Sequence, residues 1–230
     1  MVKFGLMTIS YRRPQVLHLF LASIKRLREE IDIEFPAVVV GDEEHKALCE
    51  DYGVYHITQT NHPATAKWNT GVNFLMWADC DYIVIMGSDD IMSTDLLKNL
   101  IVEMNKGVDI IGINTVYFYA GDGKYKGALL KCTSPKHILG VARCIRRGII
   151  EEVGVLWNKD RSWGMDHIIL QNIMPHLKTY AMVEGVCVDI KTHESLNRFQ
   201  FWIDRLKNRA PVELFYNIMG EEEKQLLQMI

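Results

Sequence analysis

No run of about 18 uninterrupted apolar residues occurs in this 230-residue sequence, so no transmembrane helix is expected. The opening MVKFGLMTIS likewise lacks the apolar stretch of a signal peptide. The five cysteines, Cys49, Cys80, Cys132, Cys144 and Cys187, are odd in number and never spaced C-x-x-C, which argues against a disulfide framework or zinc ribbon. They read as buried thiols in a reducing, cytoplasmic setting. Excess positive charge is also missing: 26 Lys and Arg face 29 Asp and Glu, a formal net charge of -3, without the global basic field of a general nucleic-acid binder. Neither a Pro/Gly/Ser-rich linker nor an internal repeat divides the chain. What remains is 48% hydrophobic and 24% charged, the composition of a globular protein able to bury a substantial core.

Apolar patterning predicts an α/β order. Val2–Ile9 reads as a strand, and Pro14 suits the first turn of the helix that follows because its missing N–H would be unpaired there. Leu17, Phe20, Leu21, Ile24 and Leu27 recur at three- and four-residue spacing and give that helix one apolar face. Ala37–Val40 and Tyr82–Met86 are continuous apolar runs of the kind buried on both faces of a parallel sheet. Between them the spacing predicts a helix from about Glu43 to Asp51, a strand over Val54–Thr58 and a helix from Ala64 to Trp77. This alternation implies a mostly parallel, doubly wound sheet whose ligands sit at the carboxyl ends of its strands. Beyond a helix that Ser93 caps the pattern turns mixed, with strand-like Val108–Asn114, Val116–Ala120, Ala128–Cys132 and Leu139–Ile145. Helices near Arg147–Val153 and Asp166–Met174 follow, then strand-like Ala181–Val183 and Val186–Ile190, and a helical tail from Leu196 onward.

Three strand ends carry polar punctuation: Thr8–Tyr11, Gly41-Asp42-Glu43 and Ser88-Asp89-Asp90. Adjacent carboxylates at a ligand-binding edge repel, and a divalent ion with a preference for hard oxygen ligands neutralises them. The bland alternative is a solvated turn. Asp166 reads either as a helix N-cap or as a general base held by a rigid element. His193 is one of eight histidines and is ordinary by itself.

These segments occur in the order seen in one family, and the chain resembles the family-two glycosyltransferases of the GT-A fold. The matching stretches are Thr8-Ile9-Ser10-Tyr11-Arg12-Arg13-Pro14, Val40-Gly41-Asp42 and Gly87-Ser88-Asp89-Asp90. Asn61–Gly71, with Lys67 and the Asn69-Thr70-Gly71 triplet, Gly140–Gly154 and Trp163-Gly164-Met165-Asp166 complete the set. The resemblance implies a Rossmann-like catalytic domain over residues 1–195, divided into a nucleotide-sugar half (1–115) and an acceptor half (116–195), with residues 196–230 as a helical extension. It implies an inverting transfer from a nucleotide-diphosphate sugar, expected to be a UDP-sugar, to an acceptor hydroxyl. Mn²⁺ or Mg²⁺ would be held by Asp89, Asp90 and His193, with Asp166 as the base. Asp42 would contact uracil, Thr8 would lie near the base and Lys67 near the diphosphate, and Arg12, Asn69 and Ser88 would complete the donor site.

Two positions depart from the family pattern. Gly87 stands where a first acid is expected, so its contact is absent or supplied by water, and Met165 replaces a common acid before Asp166. A nucleotidyltransferase would share the sheet and acidic site, but its glycine-rich phosphate loop is missing between Thr8 and Gln15. A catalytically silent nucleotide-sugar-binding protein is the third reading. The acceptor is open between glycan, lipid-linked sugar, protein and modified nucleic-acid base. In the tail, Lys191, Arg198, Arg205, Lys207 and Arg209 interleave with Phe199, Phe201 and Trp202 against two acids, Glu194 and Asp204. An amphipathic helix packing its aromatic face inward is expected, with a polyanion-binding surface as the alternative.

Overall fold

A computed structural model describes residues 2–158, 164–195, 197–205 and 208–230. In chain order the elements are β1 (Phe4–Ile9), α1 (Pro14–Ile31), β2 (Ala37–Gly41), α2 (Lys46–Asp51), β3 (Tyr55–Thr58), α3 (Ala64–Trp77), β4 (Tyr82–Ile85), β5 (Asp90–Met92), α4 (Thr94–Asn105), β6 (Ile110–Gly112), β7 (Thr115–Ala120), β8 (Leu129–Thr133), β9 (Arg143–Arg146), α5 (Arg147–Val153), α6 (Met165–Ile173), β10 (Tyr180–Met182), β11 (Cys187–Lys191), α7 (Phe199–Ile203), β12 (Arg209–Ala210), α8 (Glu213–Tyr216) and α9 (Glu221–Leu227).

Two sheets result. The larger has the order β10-β6-β9-β4-β1-β2-β3, and the smaller β12-β8-β7-β11-β5. In the larger sheet β1 pairs in parallel with both β2 and β4, and β2 pairs in parallel with β3; β9 alone runs antiparallel to its neighbours. β1, β2 and β4 are buried almost throughout, as their unbroken apolar runs require. Because these three strands run the same way, the turns after them gather at one edge. α1 covers the sheet with Leu17, Phe20, Leu21, Ile24 and Leu27, all buried. No described helix is long and apolar enough to cross a membrane.

Some elements differ from the sequence expectation. The strand expected from Leu139 starts only at Arg143, because Ala142 lies in the left-handed region at φ 52°. The helix expected from Glu43 opens as a 3₁₀ turn over Glu43–His45 before α2. β5 was not expected: after β4 the chain crosses Met86–Asp89 and enters the second sheet as a three-residue strand.

The segment after 195, expected as a helical extension, forms three short helices with β12, which pairs antiparallel with β8, between the first two. Pro211 and Gly220 interrupt it, consistent with their poor fit to helix interiors. Phe199 is buried, Trp202 stacks on Phe118 with ring centroids 4.3 Å apart, and the Arg205 guanidinium lies 3.4 Å from the Phe201 centroid. Phe199 and Trp202 therefore pack inward as expected, whereas Phe201 is exposed, with Arg205 over its ring. Lys207, one of the tail's basic residues, lies outside the described residues. Phe215, Met219 and Leu227 join the same apolar cluster as Leu6 and Ile91.

A buried ion pair fastens this tail to α1. Arg26 Nε donates to Glu223 Oε2 at 2.7 Å, and its two Nη atoms donate to Thr94 Oγ1 and the Met92 carbonyl. Glu223 Oε2 also accepts the Gly220 N–H at 2.6 Å at the start of α9. Without Glu223 the buried Arg26 keeps only the half-exposed Glu30, 3.6 Å away, as counter-charge, so Glu223→Ala is expected to cost about 3 kcal/mol, measured by chemical denaturation.

Candidate functional site

The turn after β4 sets the chemistry. Gly87 N–H donates to Asp90 Oδ2 at 2.5 Å, folding the Asp90 carboxylate back over the turn. A Cβ at position 87 would lie 2.7 Å from Asp89 Oδ1 and 2.9 Å from Asp90 Oδ2. The space that the family's first acid would need is thus filled by the two acids that follow. A third carboxylate arrives from the other sheet, where β11 pairs antiparallel with β5 and sets Asp189 directly opposite Asp90. Oxygens of Asp89, Asp90 and Asp189 lie within 4.8 Å of one another.

Like charges facing each other across an antiparallel pair destabilise it unless a cation intervenes. Two protein cations do so in part. Arg13 Nη1 donates to Asp89 Oδ2 at 2.9 Å, and Lys191 Nζ donates to Asp189 Oδ2 at 2.5 Å. Burial pushes the Asp89 carboxyl up, but Arg13 and Lys191 outweigh it and hold it below the ordinary value. Asp90 makes no such ion pair among the described residues: burial, then Asp189 and Asp89, push it well above the carboxylate range, with Lys191 opposing only in part. Burial also raises Asp189, to about 6, against the pull of Lys191.

These residues fit a divalent ion. Three hard carboxylates converge, and the buried Oδ1 of Asp189 has no hydrogen-bond partner among the described residues. His193, expected as the third ligand, is not in this group: its ring and its N–H both engage Asp122 Oδ2, at 2.5 and 2.8 Å. Asp189 is the third carboxylate of the group.

The turn after β1 holds the second part. Arg12 N–H donates to Asp42 Oδ2 at 3.0 Å, which joins the ends of β1 and β2. Lys67, expected on the diphosphate, is fully buried, and its ammonium donates to the Ser10 carbonyl at 2.6 Å and to Asn61 Oδ1 at 3.2 Å. It supports the turn from beneath. Thr8 is fully buried within β1 and presents nothing at the edge. Ser88 is buried in the turn between β4 and β5. Asn69, expected at the donor, clamps the backbone of Trp157 instead, donating to its carbonyl at 2.8 Å and accepting its N–H at 3.2 Å. Trp68 stacks on Trp157 beside this clamp.

On the acceptor side, Asp166 sits in the first turn of α6, whose N-cap is Gly164, so it is not itself the cap. Its exposed carboxylate packs against Gly140, where a side-chain methyl would collide with it. Arg143 Nη1 lies 3.8 Å from Asp166 Oδ1. Arg143 is buried, and its Nε and Nη2 have no partner among the described residues. Burial pulls this guanidinium below its ordinary value, with Asp166 opposing the shift. Ser162 and Trp163, part of the expected motif, lie outside the described residues.

Arg13, Lys191 and Asp189 form the centre of the site but were not singled out as site residues from the sequence. One signal was present: in Val188-Asp189-Ile190-Lys191 a carboxylate and an ammonium alternate within an apolar strand and therefore share a face. Lys191, counted among surface cations of the tail, is buried and turned toward Asp189.

A mostly parallel sheet with a carboxylate cluster at its carboxyl edge is the GT-A arrangement. The model of glycosyl transferase family 2 matches residues 6–154, more than half of the chain, and the chain belongs to that family. Among solved structures, Staphylococcus aureus TarS superposes with a TM-score of 0.63 at 12% identity, over 82% of this chain and 37% of TarS. The chain thus spans little more than a third of that protein. A Drosophila β-1,4-galactosyltransferase 7 variant, in complex with manganese, UDP-Gal and xylobiose, gives a TM-score of 0.52 at 14% identity, over 79% of this chain and 65% of its own. A Bacillus anthracis protein described as a glucose-1-phosphate thymidylyltransferase gives 0.55 at 11% identity, over 96% and 99%. At these identities the likeness is one of fold. Among curated proteins no sequence matches.

The contact between Gly140 and Asp166 can be tested directly. Gly140→Ala is expected to displace the Asp166 carboxylate from Arg143 and to lower kcat of the sugar transfer proposed below by about 10-fold or more, with the nucleotide Kd changed less than about twofold. Steady-state kinetics and calorimetric UDP titration measure the two quantities.

Proposed function

We propose that this chain transfers a glycosyl group from a UDP-sugar to an acceptor hydroxyl with inversion at the anomeric carbon. The observation that carries the proposal is the convergence of Asp89, Asp90 and Asp189 at the carboxyl edge of the sheet in a family-two chain. That a structural neighbour is described with manganese and UDP-Gal supports the choice of donor and ion. The three carboxylates would hold Mn²⁺ or Mg²⁺, which when bound supplies positive charge for the departing diphosphate.

The remaining work falls to the chain itself. Asp42, held by the Arg12 N–H, accepts from the uracil N–H. Lys67 and Ser10 keep that turn in shape from below. Asp166, on a rigid helix and exposed toward an incoming acceptor, takes the hydroxyl proton as the acceptor oxygen bonds to the anomeric carbon. The bond from that carbon to the diphosphate breaks in the same step, and its electron pair leaves with the nucleotide. A single displacement from the opposite face inverts the configuration. A catalytic domain over residues 1–195 with its acceptor half at 116–195 is consistent with placing Asp166 in the second half.

A panel of UDP-sugars with Mn²⁺ and with candidate acceptors, read out as UDP release, tests the reaction. Asp166→Asn is expected to lower single-turnover transfer by about 10²–10⁴-fold while leaving UDP affinity close to wild type. A variant that keeps most of its rate would remove Asp166 from the role of base. Asp89→Ala and Asp189→Asn are each expected to abolish the Mn²⁺ dependence of UDP binding in calorimetry, and unchanged metal sensitivity would overturn the ligand set.

A further inference from the structure

We propose that Arg13 is a displaceable counter-cation on Asp89, which a divalent ion must evict, so that the protein takes up the ion together with the nucleotide diphosphate and only weakly alone. The inference rests on the metal site proposed above.

Its basis is an unusual turn. Arg12 and Arg13 both adopt left-handed backbone conformations, at φ 53° and 54°. Consecutive non-glycine residues in that region carry a conformational cost, and such outliers persist where the surroundings hold them. Here the restraints are visible: Ser10 N–H donates to the Val40 carbonyl, Lys67 donates to the Ser10 carbonyl, and Arg12 N–H donates to Asp42. Pro14 opens α1 immediately afterwards. The turn therefore directs Arg13 across the edge of the sheet, where one nitrogen, Nη1, bridges Asp89 Oδ2 at 2.9 Å and Ser195 Oγ at 3.2 Å.

Charge decides what this bridge does. Asp189 already has Lys191 at 2.5 Å, whereas the cation on Asp89 reaches it from a separate element, a long arm extending from the turn after β1. A guanidinium and a divalent ion sharing one carboxylate repel each other; Lys191 engages Asp189 through Oδ2 and leaves its Oδ1 unpartnered among the described residues, whereas Arg13, at the end of a long arm, is the cation able to move off Asp89 as the ion enters. A released guanidinium needs an anion, and its planar fork of donors suits phosphate oxygens. The diphosphate that accompanies the ion supplies that anion. Metal and nucleotide then favour each other's binding by the same factor, as linkage requires. Departure of Arg13 also frees Ser195 Oγ of one donor, while its bond from Thr192 N–H at 3.0 Å remains.

The test measures Mn²⁺ binding by electron paramagnetic resonance, without nucleotide and with saturating UDP, on the whole chain. Wild type is expected to bind Mn²⁺ weakly alone and much more tightly with UDP. Arg13→Gln is expected to bind Mn²⁺ alone about tenfold more tightly than wild type, with the enhancement by UDP reduced by a similar factor. Ser195→Ala keeps every charge but removes one anchor of Arg13; a smaller gain in metal-only affinity is expected, and it decides the matter if Arg13→Gln does not fold. Equal metal-only affinity in wild type and both variants, with Mn²⁺ and UDP still binding together, overturns the counter-cation role and leaves the metal site standing. Absence of Mn²⁺ binding in every protein even with UDP overturns the metal site, and the inference with it.

Discussion

Repulsion among three carboxylates is the constraint around which this structure is arranged. Asp90 and Asp189 face each other across β5 and β11, and Asp89 joins them from the turn that precedes β5. No packing advantage accounts for three acids at one buried point, since burial raises the cost of every charge there. Arg13 and Lys191 offset part of that cost, and they come from distant parts of the sequence, one from the turn after β1 and one from the end of β11. The cluster thereby connects the two sheets electrostatically as well as covalently. β4 belongs to the larger sheet and β5 to the smaller, with only Met86–Asp89 between them.

The same logic explains why several polar residues at the edge do not face it. A turn with consecutive left-handed residues leaves carbonyls that the sheet cannot satisfy, and a buried carbonyl without a donor is costly. Lys67 answers this at Ser10. Asn69 does the equivalent for Trp157, satisfying both its carbonyl and its N–H from one side chain. These groups shape the site without meeting its ligands.

Much of the fold was legible in the sequence because its signals are local. Continuous apolar runs mark β2 and β4, a short apolar stretch marks β1, and three- and four-residue apolar spacing marks α1; the observed α3 has the bounds its pattern predicts. Of the site, Asp89 and Asp90 after a buried strand and Asp42 at the next strand end were readable for the same reason. What could not be read depends on contacts distant in sequence. The pairing of Asp189 with Asp90 is a register between strands nearly a hundred residues apart, and β5 is too short to leave a pattern. A lysine buried beneath a turn has the same one-letter signature as a lysine on a phosphate, so the bond from Lys67 to the Ser10 carbonyl could not be read. His193 fits a family position, yet Asp122, seventy-one residues earlier, accepts both its ring and its N–H. The tail was expected to be helical throughout, and neither its breaks at Pro211 and Gly220 nor its burial against α1 was read, since Glu223 reads as a solvated helix residue until Arg26 is placed beside it.

That last pair places α1 in a mechanical role. Arg13 immediately precedes the helix and Arg26 lies thirteen residues along the chain, which at 1.5 Å per residue is a span of about 20 Å. A packed helix scarcely shortens or stretches, so the axial position of its first turn is set by whatever grips it farther along. Glu223, Thr94 and the Met92 carbonyl grip Arg26 together. The C-terminal segment therefore acts as a stop on a rigid rod, and the reach of the Arg13 arm toward Asp89 is calibrated from the opposite end of the helix.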